Sequence, residues 1–284
     1  MSSGTGDPGF PQPADFRDES EALHSLLDPL KDEDFARATR FKQWTIDEIL
    51  THLHLWNCAA EQSLVDEPAL VRLVDDFISK RKSTTLRAWE KDQVGPLQGR
   101  TLLAAWREQY LKVSERFEGA DPRRRTKWFG PELSARSNIT ARQMETWAHG
   151  QAIFDLLGME RTDTDRIRNI AVLGVNTFGW SFALHKQALP AVPPFVCLSA
   201  PSGAIWTWNE ASAVERIEGS ATAFCQVVTQ TRNVADTDLK VTGAGAGCWM
   251  SIAQCFAGLP QTPPAPGQRA REPAQARRTL GLQD

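Results

Sequence analysis

The chain predicts a mainly α-helical protein: an N-terminal antiparallel four-helix bundle followed by a small C-terminal α+β domain. Two observations carry that expectation. Through the first two thirds, apolar residues recur every three or four positions, the period at which one face of a helix meets a core. After Pro190-Ala191-Val192-Pro193-Pro194 the pattern shortens to alternating stretches broken by Gly and Ser, as strands and tight turns require. The expected divisions are a loose tail over 1–14, rich in Gly, Pro and Ser, a helical bundle over 15–189, an α+β unit over 190–260, and a disordered tail over 261–284 without periodicity.

Taken in order, Asp15 to Leu30 carries apolar residues at 16, 22, 23, 26, 27 and 30, a helical spacing with Pro29 near its end. Thr45-Ile46-Asp47-Glu48 is a capping-box sequence, in which the Thr hydroxyl and the Glu carboxylate each satisfy an amide at the helix start. The helix it opens has apolar positions at 46, 49, 50, 53, 56, 60 and 64. Residues 68–90 read as one further helix, and 99–119 as another that stops at Gly119. The Pro, Gly and basic residues of 121–136 predict a long loop. A helix follows from about Ile139 to Leu157, with Gly158 as its C-terminal stop, and one more over 163–187. Long helices joined by loops pack most economically as an antiparallel bundle. Beyond residue 190, two strands flank the turn Ala200-Pro201-Ser202-Gly203. A strand over 214–219, a helix over 221–231, a strand over 239–243 and a helix over 248–258 complete an α+β unit.

Composition narrows the function classes. Hydrophobic content of 41%, charged content of 24% and a net charge of −3 are ordinary globular values that favour neither nucleic acid nor an anionic membrane as partner. The start has no basic and apolar leader pattern, and no stretch approaches ~20 apolar residues, so a soluble, cytoplasmic protein is expected. Five cysteines, at 58, 197, 225, 248 and 255, form an odd set without a Cys-x-x-Cys pair, which predicts buried thiols rather than disulfides. Gly243-Ala244-Gly245-Ala246-Gly247 precedes a helix but lacks the trailing Lys-Ser/Thr of a phosphate loop, and reads as a tight strand-to-helix turn.

The residues that carry chemistry are Glu145 and His149. Their four-residue gap sets a carboxylate and an imidazole on one helix face, one turn apart. Met144, Trp147, Ala148, Ala152 and Ile153 surround them with apolar surface, and a buried carboxylate without a partner is costly. The earlier helix carries His52 and His54, which lie about 100° either side of Leu53, so periodicity does not choose between them. One histidine from that helix with Glu145 and His149 makes a His-Glu-His set that leaves a coordination position open. His24 and His185 read as surface or structural residues.

With these residues placed, the chain resembles the DinB-like metal-binding superfamily, and within it the mycothiol-dependent maleylpyruvate isomerase-like proteins. The resemblance rests on WTIDEILTHLHLWN (44–57), WFGPELSARS (128–137), ARQMETWAHGQAIFDLLG (141–158), LSAPSGAIWTWN (198–209), FCQVVTQTRN (224–233) and WMSIAQCFAG (249–258), and covers about residues 15–260. It implies a DinB-like four-helix bundle holding one divalent metal, usually zinc, on His52, Glu145 and His149. It also implies that the C-terminal part is a sterol-carrier-like domain, and that the open metal position activates a low-molecular-weight thiol such as mycothiol or glutathione. Thiol attack would then give S-transfer, or cis–trans isomerisation through a reversible adduct. The chain departs from the branch pattern at Asn169 and Asn176, where relatives often carry His and Arg; a different substrate or thiol would follow if that helix borders the cleft.

A His-Glu-His site would lower the pKa of bound water to ~7 and hold a bound thiol deprotonated. Trp56 and Asn57, one turn beyond His52, are candidates to line a substrate cleft, as is Trp147. Arg142, three residues before Glu145, and the loop cations Arg123, Arg124, Arg125 and Lys127 are candidates for a carboxylate clamp. The expected function is a metal-dependent S-transferase or thiol-adduct isomerase acting on a small electrophilic or unsaturated acid. Two alternatives are a non-enzymatic binder of a lipid or hydrophobic metabolite and a zinc-hydroxide hydrolase. Nickel, iron or manganese would also suit the ligand set, and a homodimer is compatible with the bundle.

Overall fold

The computed structural model describes residues 9–270. The expected tails therefore lie partly outside the described residues, over 1–8 and 271–284. Inside them, helix α1 (Gln12–Leu27) already begins within the N-terminal stretch. Residues 261–270 are held by hydrogen bonds: Gln261 N donates to Gln254 Oε1 at 2.9 Å, Asn233 Nδ2 to the Pro264 carbonyl at 2.8 Å, and Gly267 N to the Asp236 carboxylate at 2.9 Å. The protein is mainly helical with a small C-terminal α+β part, and it divides into two compact units, one up to Gly150 and one from Gln151. That division falls within helix α6 (Ala135–Leu156).

In the first unit, α1 packs on α5 (Gly99–Glu118), and α5 packs on α2 (Ile46–Val65). The buried residues of α1 include Phe16, Leu23 and Leu27, and those of α2 include Ile46, Ile49, Leu50, Leu53 and Leu64, following the apolar spacing. The capping box forms as its sequence predicts: Glu48 N donates to Thr45 Oγ1 at 3.1 Å and Thr45 N to Glu48 Oε2 at 2.8 Å.

The segment 68–90 is not one helix. It is α3 (Glu67–Lys80) and the start of α4 (Leu86–Val94). The break has a local cause. Ser83 Oγ donates to the Lys80 carbonyl at 2.9 Å, and Thr85 Oγ1 accepts from Ala88 N at 3.2 Å, so hydroxyls replace helical partners and restart the chain. The expected loop at 121–136 contains a short antiparallel ribbon, β1 (Arg125–Thr126) with β2 (Leu133–Ser134), which leads into α6.

The second unit holds a four-stranded sheet in the order β4-β3-β5-β6. Strand β3 (Phe195–Ser199) is antiparallel to β4 (Ile205–Trp208) and parallel to β5 (Arg216–Ser220), which is antiparallel to β6 (Lys240–Thr242). Helix α9 (Ala221–Val228) packs on β3 and β5, burying Val196, Leu198 and Ile217 on that face. The helix expected over 163–187 is interrupted: α7 (Arg168–Asn176) and α8 (Phe178–Leu184) meet at Thr177, whose Oγ1 donates to the Leu173 carbonyl at 2.8 Å. Helix α10 (Ala244–Ile252) begins within the Gly-rich run. Its first amides are taken by the protein's own carboxylate, with Gly245 N and Ala246 N donating to Glu215 at 3.0 and 2.7 Å. A Cβ on Gly243 would lie 2.2 Å from the Val214 carbonyl, so the run serves a close backbone crossing. Among the described residues no helix is long and apolar enough to cross a membrane.

Candidate metal centre

Three side chains predicted as ligands come together in the first unit. The ligand atoms of His52, Glu145 and His149 all lie within 4.8 Å of one another. Glu145 Oε2 is 3.4 Å from His52 Nε2 and 3.2 Å from His149 Nε2. Ligand atoms at ~2.0–2.1 Å from a tetrahedral ion stand ~3.3 Å apart, a separation that the two Glu145 contacts match. The side chains are 11%, 19% and 11% exposed, so the cluster is largely buried. The choice that periodicity left open falls on His52. His54 stands apart, with Nε2 3.8 Å from Cys58 Sγ.

Two helices and one turn position the cluster. The i,i+4 spacing of α6 supplies Glu145 and His149, and the second turn of α2 supplies His52. The turn Phe41-Lys42-Gln43-Trp44 closes with Trp44 N donating to the Phe41 carbonyl at 2.9 Å, and Lys42 and Gln43 both take left-handed backbone angles, φ 50° and 59°. Such angles are costly for non-glycine residues. The turn sets Trp44 in a stack with His149, centroids 5.7 Å apart and planes 13° apart, and Phe41 edge-on to the same imidazole at 5.0 Å.

Glu90 of α4 joins the cluster, and sequence reading missed it. Its Oε1 accepts from His52 Nδ1 at 2.7 Å and from Trp56 Nε1 at 2.8 Å, while its side chain is 1% exposed. A carboxylate on one imidazole nitrogen fixes the tautomer and aims the other nitrogen, here Nε2, into the cluster. The only signal in the sequence was a Glu beside an apolar Trp in a helix, which does not separate it from a surface acid.

The charges follow from these contacts. Burial alone would lower the His52 pKa, but Glu90 and Glu145 outweigh it and raise it to about 9. Burial opposes ionisation of Glu145, yet hydrogen bonds from His149 and His52 hold its carboxyl well below the usual range. His149 is lowered, chiefly by burial. These directions favour a charged His52 and an ionised Glu145, while burial works against a charge on His149.

The other expected site residues divide. Trp56 is half-buried and lies 6.0 Å from His52, 5.9 Å from Trp128 and 4.6 Å from Phe129 by ring centroid, an aromatic wall beside the cluster. Arg142 is 6% exposed, with its guanidinium 5.3 Å from the Trp128 ring centroid. Asn57 is buried with its Nδ2 unpartnered among the described residues, and Trp147 has no exposed surface to offer a ligand. The loop cations act locally: Arg124 Nη2 donates to the Leu64 carbonyl at 2.9 Å and Lys127 pairs with Glu67 at 2.8 Å. Asn169 and Asn176 both lie on α7 in the second unit. Burial pushes the Cys58 thiol up to about 12 and Cys225 well above the usual thiol range, so neither is a ready nucleophile.

The model of the mycothiol maleylpyruvate isomerase N-terminal domain matches residues 16–154. Two Mycobacterium tuberculosis proteins, "Uncharacterized protein MT0041" and "Uncharacterized protein Rv0036c", are each 38% identical over 255 residues, spanning 89% of this chain and 98% of theirs. Among solved structures, a mutant of the mycothiol-dependent maleylpyruvate isomerase superposes with a TM-score of 0.51 over 84% of this chain and 96% of its own, at 11% identity. A second crystal structure of that isomerase gives 0.49 over 80% and 91%, also at 11%. At that identity the likeness is one of fold.

Proposed function

The chain belongs to the DinB-like, mycothiol-dependent maleylpyruvate isomerase-like family, and on that premise we propose that it is a metal- and thiol-dependent enzyme acting on a small electrophilic or unsaturated acid. The observation that carries this reading is the convergence of His52, Glu145 and His149, with Glu90 orienting His52. A divalent ion of the zinc type, when bound, supplies the positive charge that lowers the pKa of a coordinated thiol or water. His52 Nε2, Glu145 Oε2 and His149 Nε2 would hold it. Glu90 keeps the His52 Nδ1 proton out of the cluster, and Trp44, Phe41 and Trp56 exclude bulk water from its sides. The nucleophile is an external thiol, mycothiol by the family and glutathione as the substitute, consistent with Cys58 and Cys225 being held protonated by burial. Attack of the thiolate on an activated double bond gives a carbanion stabilised by the acid's carbonyl. Rotation and expulsion of the same thiolate re-form the double bond and give isomerisation. Protonation of that carbon from solvent, which received the thiol proton, instead retains the sulfur and gives S-transfer.

The test is elemental analysis of purified protein together with turnover of unsaturated acids with and without added thiol. About one ion per chain, lost in His149→Ala, and turnover that requires the thiol are the expected results. Full metal content in His149→Ala overturns the site. Cleavage of a substrate into two hydrolysis products without any thiol would instead support the zinc-hydroxide hydrolase reading of the same site.

A further inference from the structure

Arg142 is buried without the partner that a buried guanidinium requires. Among the described residues it makes no ion pair or hydrogen bond, and its Nε is sealed from solvent. An unpaired charge in such a place is strongly unfavourable, and Arg does not escape by losing its proton. One carboxylate, Glu145, acts on it through space from the next turn of α6. Glu145 Oε2, however, is already shared between His52 and His149. What Arg142 does have is an aromatic platform: its guanidinium sits over Trp128, which touches Trp56, which in turn borders His52. Side-chain contact and helix spacing thus both place this cation beside the ligand cluster.

We infer that Arg142, stacked on Trp128, is a recognition subsite for a planar carboxylate on the molecule that reacts at the His52–Glu145–His149 cluster. Guanidinium geometry matches a carboxylate through two parallel N–H donors, and stacking on an indole keeps the fork flat. A carboxylate seated there balances the unpaired charge and holds the rest of its molecule next to the cluster. The ligand class is therefore an acid, with its carboxylate held at the far end of the Trp128–Trp56 wall that borders the reacting position. The assignment rests on the proposed function in taking the cluster as the reacting centre.

The experiment is calorimetric binding of maleate, with the neutral diamide maleamide as control, to the protein as purified and to Arg142→Met and Arg142→Lys, with metal content measured on each sample. Maleate affinity is expected to fall about 10- to 100-fold in Arg142→Met, as loss of a charge-assisted pair implies, and to recover only partly in Arg142→Lys. Metal content and maleamide binding should not change. Equal maleate affinity in wild type and Arg142→Met overturns the subsite, as does absence of millimolar binding to the wild type. If Arg142→Met does not fold, Trp128→Leu takes its place: a loss for maleate alone supports the platform, and an unchanged affinity removes it. Maleate binding that depends on Arg142 in a protein without stoichiometric metal would keep the subsite while refuting the metal centre.

Discussion

Glu90 receives two donors on one oxygen of a side chain that is 1% exposed, and both donors are aromatic side chains of α2. Its removal therefore acts on His52 before it acts on anything else. Glu90→Gln keeps the shape but can no longer fix which His52 nitrogen carries the proton. The expected result is a 10- to 100-fold loss of metal affinity, the usual size for a partner of this kind, measured by competition with a chromophoric chelator. The same contacts make the metal-free protein sensitive to alkali. The His52 pKa in the folded state is about 9, above its ordinary 6.5, so its charge stabilises the fold fully below pH 6.5 and this contribution is lost as pH rises through about 9. Urea midpoints of metal-free protein should fall over that window. His52→Gln should abolish the slope; a slope that survives the substitution would assign it elsewhere. The cluster was legible in the sequence because two of its members share a helix at a four-residue gap, and His52 came from the resemblance. Glu90 was not, because its partner is 38 residues away and nothing local distinguishes a buried acid from a solvated one.

At the level of elements, the site depends on breaks in helices as much as on helices. If 68–90 ran on as one rod, the chain would not turn at Ser83–Thr85, and that turn sets the start of the helix that brings Glu90 to His52. Thr85 is the residue that restarts the helix. Thr85→Ala removes an N-cap and should cost about 1 kcal/mol, read as a lower urea midpoint with an unchanged slope. If Glu90 needs that anchor, metal affinity should fall in parallel, whereas Thr85→Ser should keep both. The capping box at Thr45 was legible because a Thr three residues before a Glu is a local signature. The Ser-Thr-Thr break and the stop at Thr177 were not, because hydroxyls are tolerated inside helices and only the surrounding packing decides whether they compete with the backbone. The turn over 41–44 escaped for a similar reason: neither Lys42 nor Gln43 announces a left-handed conformation, yet both adopt it and carry Phe41 and Trp44 to His149.

For the molecule as a whole, every group assigned to the metal centre belongs to the first unit, while the sheet and helices α7 to α10 belong to the second. A ligand that binds only the folded state adds RT ln(1 + [L]/Kd), about 4 kcal/mol at a thousandfold excess over Kd. That energy is delivered where the ligand atoms are, on α2 and α6, and through Glu90 and the aromatic turn on α4 and residues 41–44. Local openings of those elements should therefore become rarer by up to the same factor, and openings of β3 to β6 by much less. Hydrogen exchange with and without added zinc reads this directly. Slowed exchange in α2, α4 and the turn, absent in His149→Ala, is the expected pattern. Slowing confined to the second unit would mean that the cation binds elsewhere, and no slowing at saturating zinc would mean that these three side chains converge for a purely structural reason.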